Sequence, residues 1–115
     1  MTAAWVALAG ALGVLARYGI ASAWPAGDAA LAAIAAVNVA GSFALGALTG
    51  AEWWTEEART AVGAGFLGGF TTYSTFSVQA VLTADGGRWL AAGAYLGASV
   101  VFGLAAAAAG YALTR

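Results

Sequence analysis

The chain has 115 residues, 63% of them hydrophobic and 8% charged, with a formal net charge of −1 and a mean hydropathy of +0.86. Water-soluble domains keep about a quarter of their residues charged, so this is the composition of an integral membrane protein in a single domain. Cys, His and Lys are absent and all four basic residues are Arg, which excludes disulfides, thiolate and imidazole metal sites, Ser-His or Cys-His catalysis and Schiff-base chemistry; the near-neutral balance offers no basic patch for nucleic acid.

Crossing a bilayer takes about 20 apolar residues in a helix. The first stretch of that kind runs from Ala3 to Ala23 and ends at Trp24-Pro25, the only proline. It is too long, and lacks the basic start, for a cleaved signal peptide, so a retained span is expected. Arg17 is the sole charge well inside any span. A guanidinium stays protonated; it either snorkels to the interface or sits in the protein and raises the local positive potential, as in an electropositive vestibule for anions.

The second stretch runs from Ala29 to Gly50 and holds the only asparagine, Asn38. At helical periodicity Asn38, Ser42 and Thr49 fall within about 40° of one another. Such a stripe either bonds a neighbouring helix or lines a wet path. Glu52-Trp53-Trp54-Thr55-Glu56-Glu57 then reads as a polar loop with interfacial tryptophans. Thr55 is placed to cap the following helix, whose first turn suits Glu56 and Glu57.

The third stretch runs from Ala58 to Thr83 and contains the run Gly68-Gly69-Phe70-Thr71-Thr72-Tyr73-Ser74-Thr75-Phe76-Ser77. Two adjacent glycines weaken a helix, and hydroxyls in lipid need partners. A membrane sequence accepts both costs where backbone and side chains face an ion or water. A break is expected at Gly68-Gly69, with carbonyls that lose their helical donors and become hard ligands for a monovalent cation; a plain glycine kink is the alternative. Beyond the break Thr71, Ser74 and Thr75 share a face, and Tyr73 and Phe76 can stack. After the turn Ala84-Asp85-Gly86-Gly87-Arg88, the fourth stretch runs from Trp89 to Leu113 and carries Tyr95, Ser99 and Phe102 on one face. The small-residue pairs Gly46/Gly50, Gly65/Gly69 and Gly93/Gly97 allow close helix approach in lipid.

The predicted fold class is therefore an all-α, multi-pass transmembrane domain of four helices over residues 1–115, its third helix broken mid-membrane. Four spans are thin for enclosing a pathway, so a homo-oligomer is expected. Arg59 and Arg115 fall on one side against Arg88 and Arg17 on the other. This leaves almost no orientation signal and is compatible with insertion both ways and antiparallel self-pairing. Nearly all the intramembrane polar groups can donate hydrogen bonds, and no Asp or Glu lies near the centre of a span, a lining suited to an anion.

These residues resemble a known family, the bacterial fluoride channels (Fluc, also called CrcB proteins). The long run from Gly68 to Ser77 is similar to the family's third-span signature. Gly10-Ala11-Leu12-Gly13 with Arg17-Tyr18, Val37-Asn38-Val39-Ala40-Gly41-Ser42-Phe43, and Tyr95 with Ser99 are similar to its other three spans, in order. The resemblance implies an antiparallel dual-topology homodimer in the cell (plasma or inner) membrane with two fluoride pores. It implies that Gly68 and Thr71 offer backbone carbonyls from both subunits to a structural Na+ at the dimer interface. It implies that Asn38, Ser74, Thr75, Tyr95 and Ser99 line the anion path, to which the stripe shared with Asn38 adds Ser42, that Tyr73 and Phe76 present ring edges to fluoride, and that Arg17 supports a vestibule. Tyr73 replaces the usual first phenylalanine, and Ala33-Ile34 stand where Gly-Thr is common; since some members work as heterodimers with a paralogue, one subunit of such a pair is an alternative. A small multidrug-type antiporter shares the length and topology but needs an embedded carboxylate. A non-transporting assembly protein explains the glycines and not the aligned donors. No enzyme constellation survives the composition.

Overall fold

The structure, a computed structural model, describes residues 1–115 throughout. It is built of α1 (Thr2–Ala23), α2 (Gly27–Gly50), α3 (Glu56–Thr60), a π-helical segment (Ala61–Leu67), α4 (Gly68–Phe70), α5 (Tyr73–Asp85) and α6 (Trp89–Thr114). Ala and Leu favour helix intrinsically, and a segment in lipid must satisfy its own backbone. α1, α2 and α6 are each long and apolar enough to cross a membrane, which makes this a multi-pass membrane protein. The third stretch is divided among α3, the π segment, α4 and α5. The helices overrun the predicted spans by one or two residues at several ends.

The ends follow local chemistry. α1 stops at Trp24, ahead of Pro25, since a residue before proline is pushed out of the helical region. Thr55 caps α3, its Oγ1 accepting from the Ala58 N–H at 3.2 Å. Arg59 closes the far end of α2 by donating to the Thr49 and Ala51 carbonyls at 3.3 and 2.7 Å, a cation on the negative end of the helix dipole. Asp28, in the first turn of α2, is joined to Arg88, just ahead of α6, at 2.7 Å. Hydrogen bonding first, and charge second, hold the Asp28 carboxyl below the usual carboxylate range. The pair is therefore present at neutral pH and is lost only as pH falls through that lowered value; both partners are exposed, so its contribution is small.

Only 15 of 115 residues are buried, while Leu8, Leu12, Leu15, Val81, Val101 and Leu104 stand exposed. Apolar surface faces outward, as in a protein whose surroundings are hydrocarbon or another protein. Inside, two close helix pairs dominate: α2 with α6, and α1 with the π segment and α4. Glycine sets both. Gly46 and Gly50 rest on Ala107 and Tyr111 of α6, and Gly110 rests on the Phe43 carbonyl of α2. Gly65 and Gly69 meet Val6, Gly10 and Val14 of α1. At the third predicted pair, Gly93/Gly97, an added Cβ would meet no neighbouring helix within 4 Å.

The expected break moves. Gly68 and Gly69 remain helical, and the chain leaves the helix at Thr71 (φ −85°, ψ 155°) and Thr72 (φ −148°, ψ 117°). The glycine pair serves packing instead: a Cβ on Gly69 would lie 2.6 Å from the Gly10 carbonyl. The interruption falls where partners exist for the freed backbone groups. Thr71 accordingly sits ahead of α5 and not on a face shared with Ser74 and Thr75.

Candidate functional site

Thr72 is the hub of the interruption. Its hydroxyl accepts from the Thr75 N–H at 3.3 Å, capping α5, and donates to Thr75 Oγ1 at 3.2 Å. Its backbone pairs with Asn38: the Asn38 Nδ2 donates to the Thr72 carbonyl at 3.0 Å, and the Thr72 N–H donates to Asn38 Oδ1 at 2.8 Å. Arg17 is half-buried and turned inward, its Nε donating to the Gly69 carbonyl at 3.1 Å. In an unbroken helix the Thr72 N–H would serve the Gly68 carbonyl and the Thr75 N–H the Thr71 carbonyl. Both donors are spent elsewhere, so the carbonyls of Gly68 and Thr71 are among those the interruption releases, beside those of Gly69 and Phe70 at the end of α4. Thr72→Val is expected to cost about 1 kcal/mol of stability through the lost cap, read as a lower unfolding midpoint in detergent, with Thr72→Ser close to the parent.

A cleft of about 350 Å³ opens beside this point. α2 contributes Asn38 and Ser42; α4 and the interruption contribute Gly68, Thr71 and Thr72; α5 contributes Tyr73 and Phe76; α6 contributes Ser99. Seven of the residues singled out from sequence thus meet: Asn38, Ser42, Gly68, Thr71, Tyr73, Phe76 and Ser99. Ser74, Thr75, Tyr95 and Arg17 stand outside this lining in a single chain. Thr49 and Phe102, from the α2 and α6 stripes, are exposed in a single chain and lie outside the lining. The Phe76 ring is packed 5.1 Å from the Tyr95 ring and 6.2 Å from that of Tyr73, tilted to both.

The hydroxyls differ in what they have left to give. Ser42 donates to the Asn38 carbonyl at 2.7 Å, and Thr71 to the Leu67 carbonyl at 3.0 Å. The Ser99 hydroxyl is enclosed and has no partner, although an enclosed polar group ordinarily finds one. Tyr95 donates to Gln79 Oε1 at 2.7 Å, which fixes the ring that backs Phe76. Gln79 and Thr72 were not singled out from sequence. Gln79 lies one helical turn past Phe76, and Thr72 stands three before Thr75 in the spacing of a helix cap, so both left a signal.

The sequence matches the family described as CrcB-like protein, Camphor Resistance (CrcB), over residues 4–111. It is 44% identical over 114 residues to the "Fluoride-specific ion channel FluC 2" of Rhodococcus jostii, spanning 99% of both chains. It is 43% identical over 115 residues to the "Fluoride-specific ion channel FluC" of Deinococcus radiodurans, spanning 92% of this chain and 89% of that one. It is 40% identical over 114 residues to the protein of the same name from Hyphomonas neptunium, spanning 88% of this chain and 85% of that one. With the matched region taking in all but the outermost residues of the four apolar stretches, this chain belongs to the CrcB family.

Proposed function

We propose that this chain forms a fluoride-selective channel of the cell membrane, which lets fluoride leave the cytoplasm passively and so limits its toxicity. The observation that carries this beyond family membership is the interrupted third segment opening on a cleft with an aromatic pair and an unpartnered hydroxyl. Fluoride is small and strongly hydrated, so a pore must replace its water with donors. The edges of Tyr73 and Phe76 carry partial positive charge, and Ser99 has a free O–H. Ser74, Thr75 and Tyr95 continue that lining where a second copy completes the wall, and Arg17 keeps the approach electropositive. The apolar exterior and the one-sided cleft support an antiparallel homodimer whose third segment is broken at mid-membrane depth.

Hydrogen fluoride enters as a neutral acid and ionises in an alkaline cytoplasm. An inside-negative potential then drives the anion outward by about 2.3 kcal/mol per 100 mV. No embedded carboxylate is needed, unlike in a proton-coupled antiporter, and no enzyme chemistry.

A structural Na+ fits the residues present. Carbonyl oxygens suit a hard monovalent cation, and Gly68 and Thr71 are the positions whose helical donors are diverted. Two copies of opposite orientation, related by a two-fold axis, would bring four such oxygens together. A cation there supplies positive potential near the path without blocking it. A heterodimer with a paralogue is the second reading, favoured by the numbered "FluC 2" names of the Rhodococcus jostii and Geobacillus kaustophilus relatives.

The pure protein in liposomes, followed with a fluoride electrode, is expected to release fluoride and retain chloride. Release of neither ion overturns the function, and release only with a co-expressed paralogue selects the second reading. Ser99→Ala gives effects of opposite sign. Removing an enclosed, unpaired hydroxyl is neutral or stabilising, whereas removing a donor to the anion slows efflux by about tenfold, the loss of one charge-assisted hydrogen bond. Unfolding midpoints and efflux on one preparation check both.

A further inference from the structure

We propose that Arg17 and Asn38 are positioning residues that hold the interruption of the third segment from two sides, so that their contribution to conduction runs through the backbone of Gly69 and Thr72. This rests on the reading that the interruption borders the fluoride path. Asn38 acts here as a peptide group does. It gives a hydrogen bond to the Thr72 carbonyl and takes one from the Thr72 N–H, at 3.0 and 2.8 Å. That reciprocal pair is what opposed residues of two strands exchange, and Thr72 has the extended dihedrals it requires. By taking the N–H that would close a helical turn on Gly68, Asn38 keeps the helix from running through.

Arg17 works from the opposite side. Its Nε meets the Gly69 carbonyl at 3.1 Å, whose helical donor would be the N–H of Tyr73, the first residue of α5 beyond the break. An arginine Nε is a fixed-direction donor in a planar group, which an ammonium does not reproduce. Arg17 belongs to α1 and Asn38 to α2, helices with little contact between them. What the two side chains share is the segment from Gly69 to Thr72.

If Arg17 acted only by its charge on the anion and Asn38 only by touching it, their removal would have independent costs, and the losses of rate would multiply. If both hold one segment, freeing it once is most of the damage. The test uses the full chain in liposomes: parent, Arg17→Gln, Asn38→Ala and the double variant. Fluoride efflux is read by electrode, and backbone amide exchange is read over residues 68–76 with α2 and α6 as internal references. Each single change is expected to slow efflux by about tenfold and to raise exchange in 68–76 alone, with the double variant within about twofold of the slower single. A multiplied loss of rate, unchanged exchange in 68–76, or raised exchange with normal efflux overturns the proposal.

Should Arg17→Gln or Asn38→Ala fail to assemble, Arg17→Lys and Asn38→Asp replace them. An aspartate accepts from the Thr72 N–H but gives nothing to its carbonyl. That variant should therefore keep the Thr72 amide slow to exchange while efflux falls, and a fast-exchanging Thr72 amide there overturns the pairing. If the parent itself passes no fluoride, the channel reading fails, and the exchange measurement still decides whether the two side chains hold the segment.

Discussion

Replacing Phe76 by isoleucine is expected to slow fluoride efflux by about ten- to a hundredfold while the protein stays folded, a loss set by about 1.5–3 kcal/mol for a hydrogen bond to a charged group. Phe76 is 8% exposed and lines the cleft. Its ring is tilted to those of Tyr95 and Tyr73, so that edges and not only faces are presented. An aromatic edge is a directed patch of positive potential. A dehydrated fluoride can use it as it uses an N–H, and the methyls of isoleucine offer nothing comparable. The fold should tolerate the change, since swaps of similar apolar volume usually cost under about 1.5 kcal/mol. Efflux normalised to assembled protein, beside the unfolding midpoint, separates the two effects. Normal efflux would remove Phe76 from the path; a collapsed midpoint would make its role one of packing.

The apolar spans were legible because lipid imposes one rule on a whole segment: enough apolar residues, with every backbone group satisfied internally. The interruption was legible in kind but not in place. Gly68-Gly69 is the conspicuous local weakness, yet what decides where a helix opens is who can receive its orphaned groups. Here that is Asn38, 34 residues away in sequence, and Arg17, 52 residues from its acceptor. Such partners are a tertiary fact. The same holds for the π-helical turn over Ala61–Leu67, a form frequent near functional sites. Its glycines are visible in the sequence, but the α1 backbone that Gly65 approaches and the α2 leucines that Gly63 faces are not. Periodicity put Asn38, Ser42 and Thr49 on one face; Asn38 and Ser42 line the cleft and Thr49 stands outside it in a single chain, because periodicity assigns a face without saying where the neighbouring helix ends. Donor-rich composition was also only part of the answer. Ser42 and Thr71 turn their protons back onto their own helices, and Ser99 alone among the three keeps an enclosed hydroxyl without a partner.

Alanine at Gly13 is expected to abolish efflux and lower the unfolding midpoint, against the helical preference that ordinarily favours alanine over glycine by about 1 kcal/mol. The reversal comes from what the methyl would meet. It would fall on the Phe66 carbonyl, with the Phe70 nitrogen 3.0 Å away. Those are backbone atoms of the π segment and α4, and backbone yields far less readily than the end of a side chain. α1 must therefore lift off the third segment, at an overpacking cost of about 1–3 kcal/mol or more. The displacement does not stay local. Arg17 lies one turn beyond Gly13 on the same face, so moving the helix draws its Nε away from the Gly69 carbonyl and loosens the interruption itself. Gly19, on the same helix, supplies the control: nothing lies within 4 Å of its added Cβ, so Gly19→Ala should keep efflux and gain up to about 1 kcal/mol. Efflux and unfolding midpoints for the two variants side by side decide the matter. If Gly13→Ala behaves as Gly19→Ala does, α1 is not seated on the third segment as described, and Arg17 cannot be held where its bond to Gly69 requires.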